Sequence, residues 1–156
     1  MCIRDSHWRI QGQVFFGDKN HFVCEGEKRF KLDEIVRHCE EKGIAFFDTS
    51  TAVRRLKDNA SDKFLEVVEP TDIAALISQL PHLRAIVTTG EKATQTICAT
   101  LGISEVPKVN TSIALPQRGS GEGALLWRLP SSSRAYPLSF EKKVESYRKI
   151  FDTILR

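Results

Sequence analysis

No two cysteines of this sequence form a CxxC pair, and the four present (Cys2, Cys24, Cys39 and Cys98) are scattered along the chain. That spacing argues against a zinc site, an iron–sulfur cluster or a disulfide framework, and it fits a reducing compartment. His7, His21, His38 and His82 are equally dispersed, with no HExxH or other paired spacing. Each is therefore expected at the surface or at a helix end rather than as a metal ligand or a base. No apolar run approaches the roughly 20 residues of a membrane span, so a soluble domain with no membrane partner is predicted. Neither GxSxG nor GxxxxGK[ST] occurs, which disfavours a hydrolase nucleophile elbow and a phosphate-cradling loop of the nucleotide-hydrolase type. Charge of one sign is also lacking: 23 Lys and Arg stand against 20 Asp and Glu, for a net charge of +3. A mildly basic balance permits a polyanionic partner without demanding one. What is present is 156 residues with 41% hydrophobic content, enough to build the core of one domain.

The opening MCIRDS has no apolar stretch and one charge of each sign, so it reads neither as a signal nor as a transit peptide. Back-translated, it can be written ATG TGT ATA AGA GAC AG plus a pyrimidine, which looks like a transposon-end adapter used in DNA sequencing. Met1 to Ser6 are accordingly expected to be non-native, with a single native domain over residues 7–156 and an unknown length of chain lost before it.

Along the rest of the chain, helices and strands are expected to alternate. WRIQGQVFF is predicted as a short helix because its apolar residues do not alternate strictly. KLDEIVRHCEEKG reads as a helix with Leu32, Ile35, Val36 and Cys39 on one face and Gly43 as its left-handed stop. IAFFDT is a short unbroken apolar run with a polar tip, the pattern of a strand covered on both faces. TDIAALISQLP is a helix capped by Thr71 or Asp72, RAIVTTG the next strand, and EKATQTICATLG a helix ended by Gly102. PQRGSGEG reads as a flexible connection, and Lys57 to Asp62 as a solvated loop with a helix cap. ALLWRLP is a third strand, and SFEKKVESYRKIFDTIL a closing helix with Phe140, Val144, Tyr147, Phe151 and Ile154 at helical spacing. Trp8 and Trp127 are expected in the core. Lys142, Lys143, Arg148 and Lys149 are expected on a solvated face. The alternation implies an α/β protein with a mostly parallel sheet, in which function gathers at the C-terminal ends of the strands.

Three polar tips lie at such ends. LPSSSRAYP leaves its strand through Pro130, then offers Ser131, Ser132, Ser133, Arg134 and Tyr136 before Pro137. Small hydroxyls, a guanidinium and a ring on a stiffened loop suit a DNA backbone or groove, although composition alone favours a serine-rich loop with a solvated arginine. VTTGEKAT sets Thr89, Gly90 and Lys92 at a strand-to-helix joint, where backbone N–H groups suit an anion or where the glycine is simply a turn. FFDTS sets Asp48 behind Phe46 and Phe47. A carboxylate there caps the following turn or faces a ligand, with Arg54 and Arg55 as available ionic partners.

In this order the stretches GIAFFDTSTAVRR, DNASDKF, VEPTDIAALISQLPHLRAIVTTGEKAT, LWRLPSSSRAYP and EKKVESYRKIF resemble the uracil-DNA glycosylase superfamily. They are most similar to its DNA-deoxyinosine and mismatch-specific branch. The similarity runs from about Trp8 to the C-terminus, and its most specific part is LPSSSRAYP, which resembles the MPSSSAR loop of thymine-DNA glycosylases with arginine and alanine exchanged. The resemblance implies a monomeric base-excision-repair hydrolase with a three-layer α/β/α sandwich and a four-stranded, mostly parallel sheet. It would act on double-stranded DNA in a bacterial cytoplasm, at the nucleoid, without metal or cofactor. A uracil or hypoxanthine would be flipped into a pocket and its N-glycosidic bond cleaved by water.

By the same resemblance Pro130, Ser131, Ser132, Ser133, Arg134 and Tyr136 would contact DNA, with Arg134 or Tyr136 as the wedge. Asp48 and Phe47 would line the base pocket, and Thr89, Gly90 and Lys92 would support it. An ionised Asp48 only accepts hydrogen bonds, so it would favour a base edge bearing N–H groups. The family's first motif, which positions the attacking water, would precede Trp8, where MCIRDS stands. The first, interior strand and the water-activating residue are thus expected to be missing, so that this chain cleaves no base and folds marginally. The competing expectation is a non-catalytic α/β module that binds a nucleotide or a partner in the same crevice.

Overall fold

The computed structural model describes residues 6–27, 29–55, 65–116 and 123–155. Elements run in the order α1 (Ser6–Phe16), α2 (Leu32–Lys42), β1 (Ser50–Arg55), β2 (Leu65–Pro70), α3 (Ile73–Ser78), β3 (Ala85–Thr89), α4 (Glu91–Leu101), β4 (Ser112–Ala114), β5 (Leu125–Leu129) and α5 (Phe140–Ile154). This is an α/β chain with two small sheets. β1 and β2 form an antiparallel pair, and the other sheet has the order β3-β5-β4. In it β3 pairs with β5 in parallel, and β4 with β5 antiparallel. The chain divides into two units, residues 1–47 with 132–156 and residues 48–131.

In the unit formed by the two ends of the chain, α1 packs on α5. Ile10, Phe22, Tyr147 and Ile150 are buried at its centre. The Trp8 ring meets those of Phe22 and Phe46 edge-on. α2 carries Asp33 and Glu34 in its first turn and Lys42 in its last, charges that suit the helix dipole. Gly43 ends it at φ 63°, its N–H bonding back to the last carbonyls, as its position in the sequence predicts.

Three expectations for this unit are corrected. His38 is buried within α2 at 3% exposure, neither at the surface nor at a helix end, and His7, at the start of α1 as a helix-end position, is also buried, at 4%. On α2, Ile35 and His38 face inward while Leu32 and Val36 are 68% and 46% exposed, so the apolar stripe is rotated from the one the spacing suggested. Lys143, expected in solvent, is 4% exposed on the inner face of α5.

In the other unit Ile73, Ile97, Cys98, Leu101 and Leu126 form the core, with Ile86 and Ile113 packed against it. Each aliphatic side chain so buried is worth about 1.5–3 kcal/mol, offset by the entropy of ordering it. Asp72 caps α3 by accepting from the Ala75 N–H at 2.9 Å. Gly102 ends α4 at φ 68°. Cys24, Cys39 and Cys98 are free thiols.

The strands expected at RAIVTTG and ALLWRLP form, but IAFFDT does not. Residues 44–48 take no regular secondary structure. A lone extended segment has no ladder to satisfy its N–H and C=O groups, so apolar composition alone does not make a strand. The solvated loop expected at Lys57 to Asp62 and most of PQRGSGEG, residues 117–122, lie outside the described residues. Among those described, no helix is long and apolar enough to cross a membrane.

Candidate nucleic-acid interface

Two of the three polar tips meet because their strands are neighbours. The parallel register runs from Ala85↔Leu125 to Thr89↔Leu129, so β3 and β5 end at one level. The Gly90 N–H donates to the Leu129 carbonyl at 3.0 Å. Pro130 is fully buried, and Ser131 lies over Gly90. A Cβ on Gly90 would stand 3.4 Å from Ser131 Cβ, and Gly90 sits at φ +95°, which side chains rarely adopt. The positive φ is what favours glycine there; the approach to Ser131 is ordinary van der Waals contact.

Beneath this joint two buried hydroxyls brace the turn. Thr88 Oγ1 donates to the Trp127 carbonyl at 3.0 Å and lies 2.8 Å from Thr94 Oγ1, which donates to the Gly90 carbonyl at 2.7 Å. Two hydroxyl protons serve three contacts, so the network shares them, and the joint is held from inside. Thr89 and Lys92 are half-buried beside it. Next to the tip, Arg128 NH1 donates to the Pro107 carbonyl at 3.2 Å, and NH2 lies 3.9 Å from the Glu91 carboxylate.

The rest of the LPSSSRAYP loop belongs to the other unit. Tyr136 N–H donates to the Ser133 carbonyl at 3.1 Å, closing a four-residue turn with Arg134 at its second position. Ser133 Oγ accepts from the Ala135 N–H at 3.2 Å, a local bond that favours such turns. Ser133, Arg134 and Ala135 are exposed, and Tyr136 is half-buried.

Two side chains of α5, four residues apart and so on one face, hold this turn from below. Lys143 Nζ donates to the Ser133 carbonyl at 2.7 Å and lies 3.4 Å from that of Tyr136. Its ammonium is 5.7 Å from the centre of the Tyr136 ring. Burial lowers the Lys143 pKa from its ordinary value. Tyr147, fully buried, is hydrogen-bonded to Ser132; burial raises its phenol and the Ser132 bond partly opposes that. Sequence reasoning missed both as loop anchors. The available signal was Lys143 falling on the same helical face as Tyr147, Ile150 and Phe151.

Asp48 does not sit behind two rings. Phe47 is 64% exposed and Asp48 is exposed, while the Phe46 ring turns toward His7 and Trp8. The Asp48 main-chain carbonyl accepts from the buried Thr71 hydroxyl at 2.7 Å, and Thr71 N–H donates to the Thr49 carbonyl at 3.1 Å. Arg54 pairs with Glu66 across the β1–β2 hairpin, at 3.4 Å, instead of with Asp48. The Arg55 side chain lies outside the described residues.

Elsewhere in the unit formed by the chain ends, an open groove of about 910 Å³ is lined by Asp18, Glu145 and Arg148 among others, a mixture of signs that selects no ligand charge. Among the described residues no group of three or more His, Cys, Asp or Glu side chains could hold a metal ion. No protein-family model, curated protein or solved structure matches the chain.

Proposed function

We propose that this chain binds double-stranded DNA at damaged or mismatched positions, as part of a uracil-DNA glycosylase-like base-excision module. The observation that carries the reading is Arg134, a permanently charged fork on the exposed corner of a braced turn between Ser131–Ser133 and Tyr136. In this reading Ser131 and Ser133 contact phosphates while Ser132 anchors the loop through Tyr147, Arg134 enters the space left by a flipped base, and Tyr136 supports it. Gly90, at the joint that Thr89 and Lys92 flank, backs Ser131 within the contiguous unit.

The finer architecture, a three-layer sandwich on a four-stranded, mostly parallel sheet, belongs to the same proposal. Among the described strands β3 has β5 on one side and none on the other, so an edge is open for a further strand. Asp48 and Phe47, both exposed, take the role of base-pocket residues only when duplex DNA covers them. Of the residues described, none is assigned to activate water, and binding without base release is the expected behaviour of these 156 residues.

Fluorescence anisotropy with duplexes carrying an abasic site, a G·U pair, a hypoxanthine or no lesion tests the reading. The protein should prefer the abasic duplex, with affinity falling steeply as salt rises. Arg134→Ala should weaken abasic binding about tenfold, ~1.4 kcal/mol. Equal affinity for lesion and intact duplexes, or indifference to Arg134→Ala, defeats it and favours a small-ligand or partner-binding module instead.

A further inference from the structure

We propose that Lys143 is a positioning residue for the DNA-binding turn: its ammonium, sealed beneath residues 133–136, fixes the direction in which Arg134 meets DNA without touching DNA itself. The inference rests on the duplex-binding reading above.

Three observations carry it. Lysine normally extends its charge to water along a flexible stem, yet Lys143 is 4% exposed. Its nearest groups are the Ser133 carbonyl at 2.7 Å, the Tyr136 carbonyl at 3.4 Å and the Tyr136 ring, and no carboxylate among the described residues lies within ion-pair distance. A buried cation with only neutral partners is costly, so the charge is not what makes the fold stable. What the charge does is local. It draws the Ser133 carbonyl inward, and because a trans peptide is planar, the N–H of Arg134 on the same peptide is turned the opposite way.

The Ser132–Tyr147 bond fixes the residue just before. Residues 132, 133 and 136 are thereby held from one helix face, and residues 134 and 135 are left as the exposed corner. A turn ordered in the free protein spares the complex the cost of ordering it on binding.

Lys143→Met keeps the length and removes the charge. The variant should melt at or above the temperature of the unmodified protein. Trypsin should cut it faster at the Arg134–Ala135 bond, and its affinity for an abasic-site duplex should fall about tenfold, as expected for coupled residues of one network. Lys143→Arg, which can still donate to both carbonyls, should restore most of that affinity. The decisive comparison is the double variant Arg134→Ala/Lys143→Met. It should bind no more weakly than Arg134→Ala alone, since Lys143 acts through Arg134.

Losses that add in the double variant overturn the proposal and make Lys143 an independent phosphate contact. Full abasic-duplex affinity in Lys143→Met, with Arg134→Ala impaired, also overturns it. If the unmodified protein shows no preference for the abasic duplex, the duplex-binding reading fails and this proposal with it. The trypsin rates tell that failure apart from one in which the ammonium never held the turn.

Discussion

Gly12 shows how a single position opposes its own local preference. It lies within α1, where glycine costs about 1 kcal/mol relative to alanine. On propensity alone Gly12→Ala would stabilise the helix. The chain after α1, however, folds back so that a Cβ on Gly12 would stand 2.5 Å from the Asp18 carbonyl oxygen, a backbone atom that cannot swing aside. The same approach brings the Asp18 N–H to the Gly12 carbonyl at 3.4 Å. Overpacking against backbone costs roughly 1–3 kcal/mol, and at 2.5 Å from a fixed carbonyl the upper part of that range applies, which exceeds the propensity gain. Gly12→Ala should therefore lower the urea midpoint, by a net of up to ~2 kcal/mol of stability. A raised midpoint would mean that the 17–20 segment relaxes freely away from the helix.

At the scale of elements, the sequence was legible wherever a signal is local. Asp72 at an N-cap and Gly43 and Gly102 as helix stops act on the nearest turn, so the helices they bound were identifiable. The β3 and β5 strands were legible as short apolar runs with polar tips. The β1–β2 pair and β4 were missed, because strand pairing is a relation between two segments and leaves little trace in either one alone. The failure at residues 44–48 has the same origin: the apolar run was visible, the absence of a ladder partner was not. The rotated stripe of α2 reflects its partner surface, the rings of Phe15, Phe16 and Phe22, which collect His38 rather than Val36. In the site, Arg134 and the serines were legible as types, whereas their anchors on α5 were not, since a lysine in an amphipathic helix ordinarily faces water. A capping bond is the element-scale feature most easily tested. α3 has six residues, too few to be stable alone, so the Asp72–Ala75 bond is a large share of what starts it. Asp72→Ala should cost about 1 kcal/mol, and Asp72→Ser distinctly less, in chemical denaturation. Equal losses for the two would remove the cap from the account of this helix.

Across the whole molecule the two units differ in chain connectivity and in their response to acid. Residues 48–131 are contiguous, whereas the other unit joins 1–47 to 132–156 and brings α1 onto α5 from opposite ends of the chain. That second unit also holds both buried histidines. Desolvation lowers His7 from its ordinary value to about 4; its ring is enclosed by Trp8, Phe46 and Tyr147, and Nε2 lies 3.3 Å from Gln11. Burial, followed by the Lys42 charge, lowers His38; the charge of Glu41 opposes that and His21 adds to it. Neither His38 nitrogen has a hydrogen-bond partner among the described residues. Above pH ~6.5 both imidazoles are neutral, folded or unfolded, and stability is complete. Below that, the unfolded chain binds protons that the folded unit refuses, so stability is lost progressively down to about pH 4, where His7 finally protonates in place. A displacement of that size corresponds to roughly 3 kcal/mol for His7 at full effect. The contiguous unit carries His82, which is exposed, and no buried histidine among its described residues. Hydrogen exchange at pH 7 and pH 4.5, corrected for intrinsic rates, should therefore show protection falling in α1 and α5 while β3, β5 and α4 change little. His7→Phe, which keeps a ring at the site and cannot protonate, should flatten the acid loss in α1 and α5. Uniform loss across both units, or no effect of that substitution, would assign the acid response to carboxylates instead.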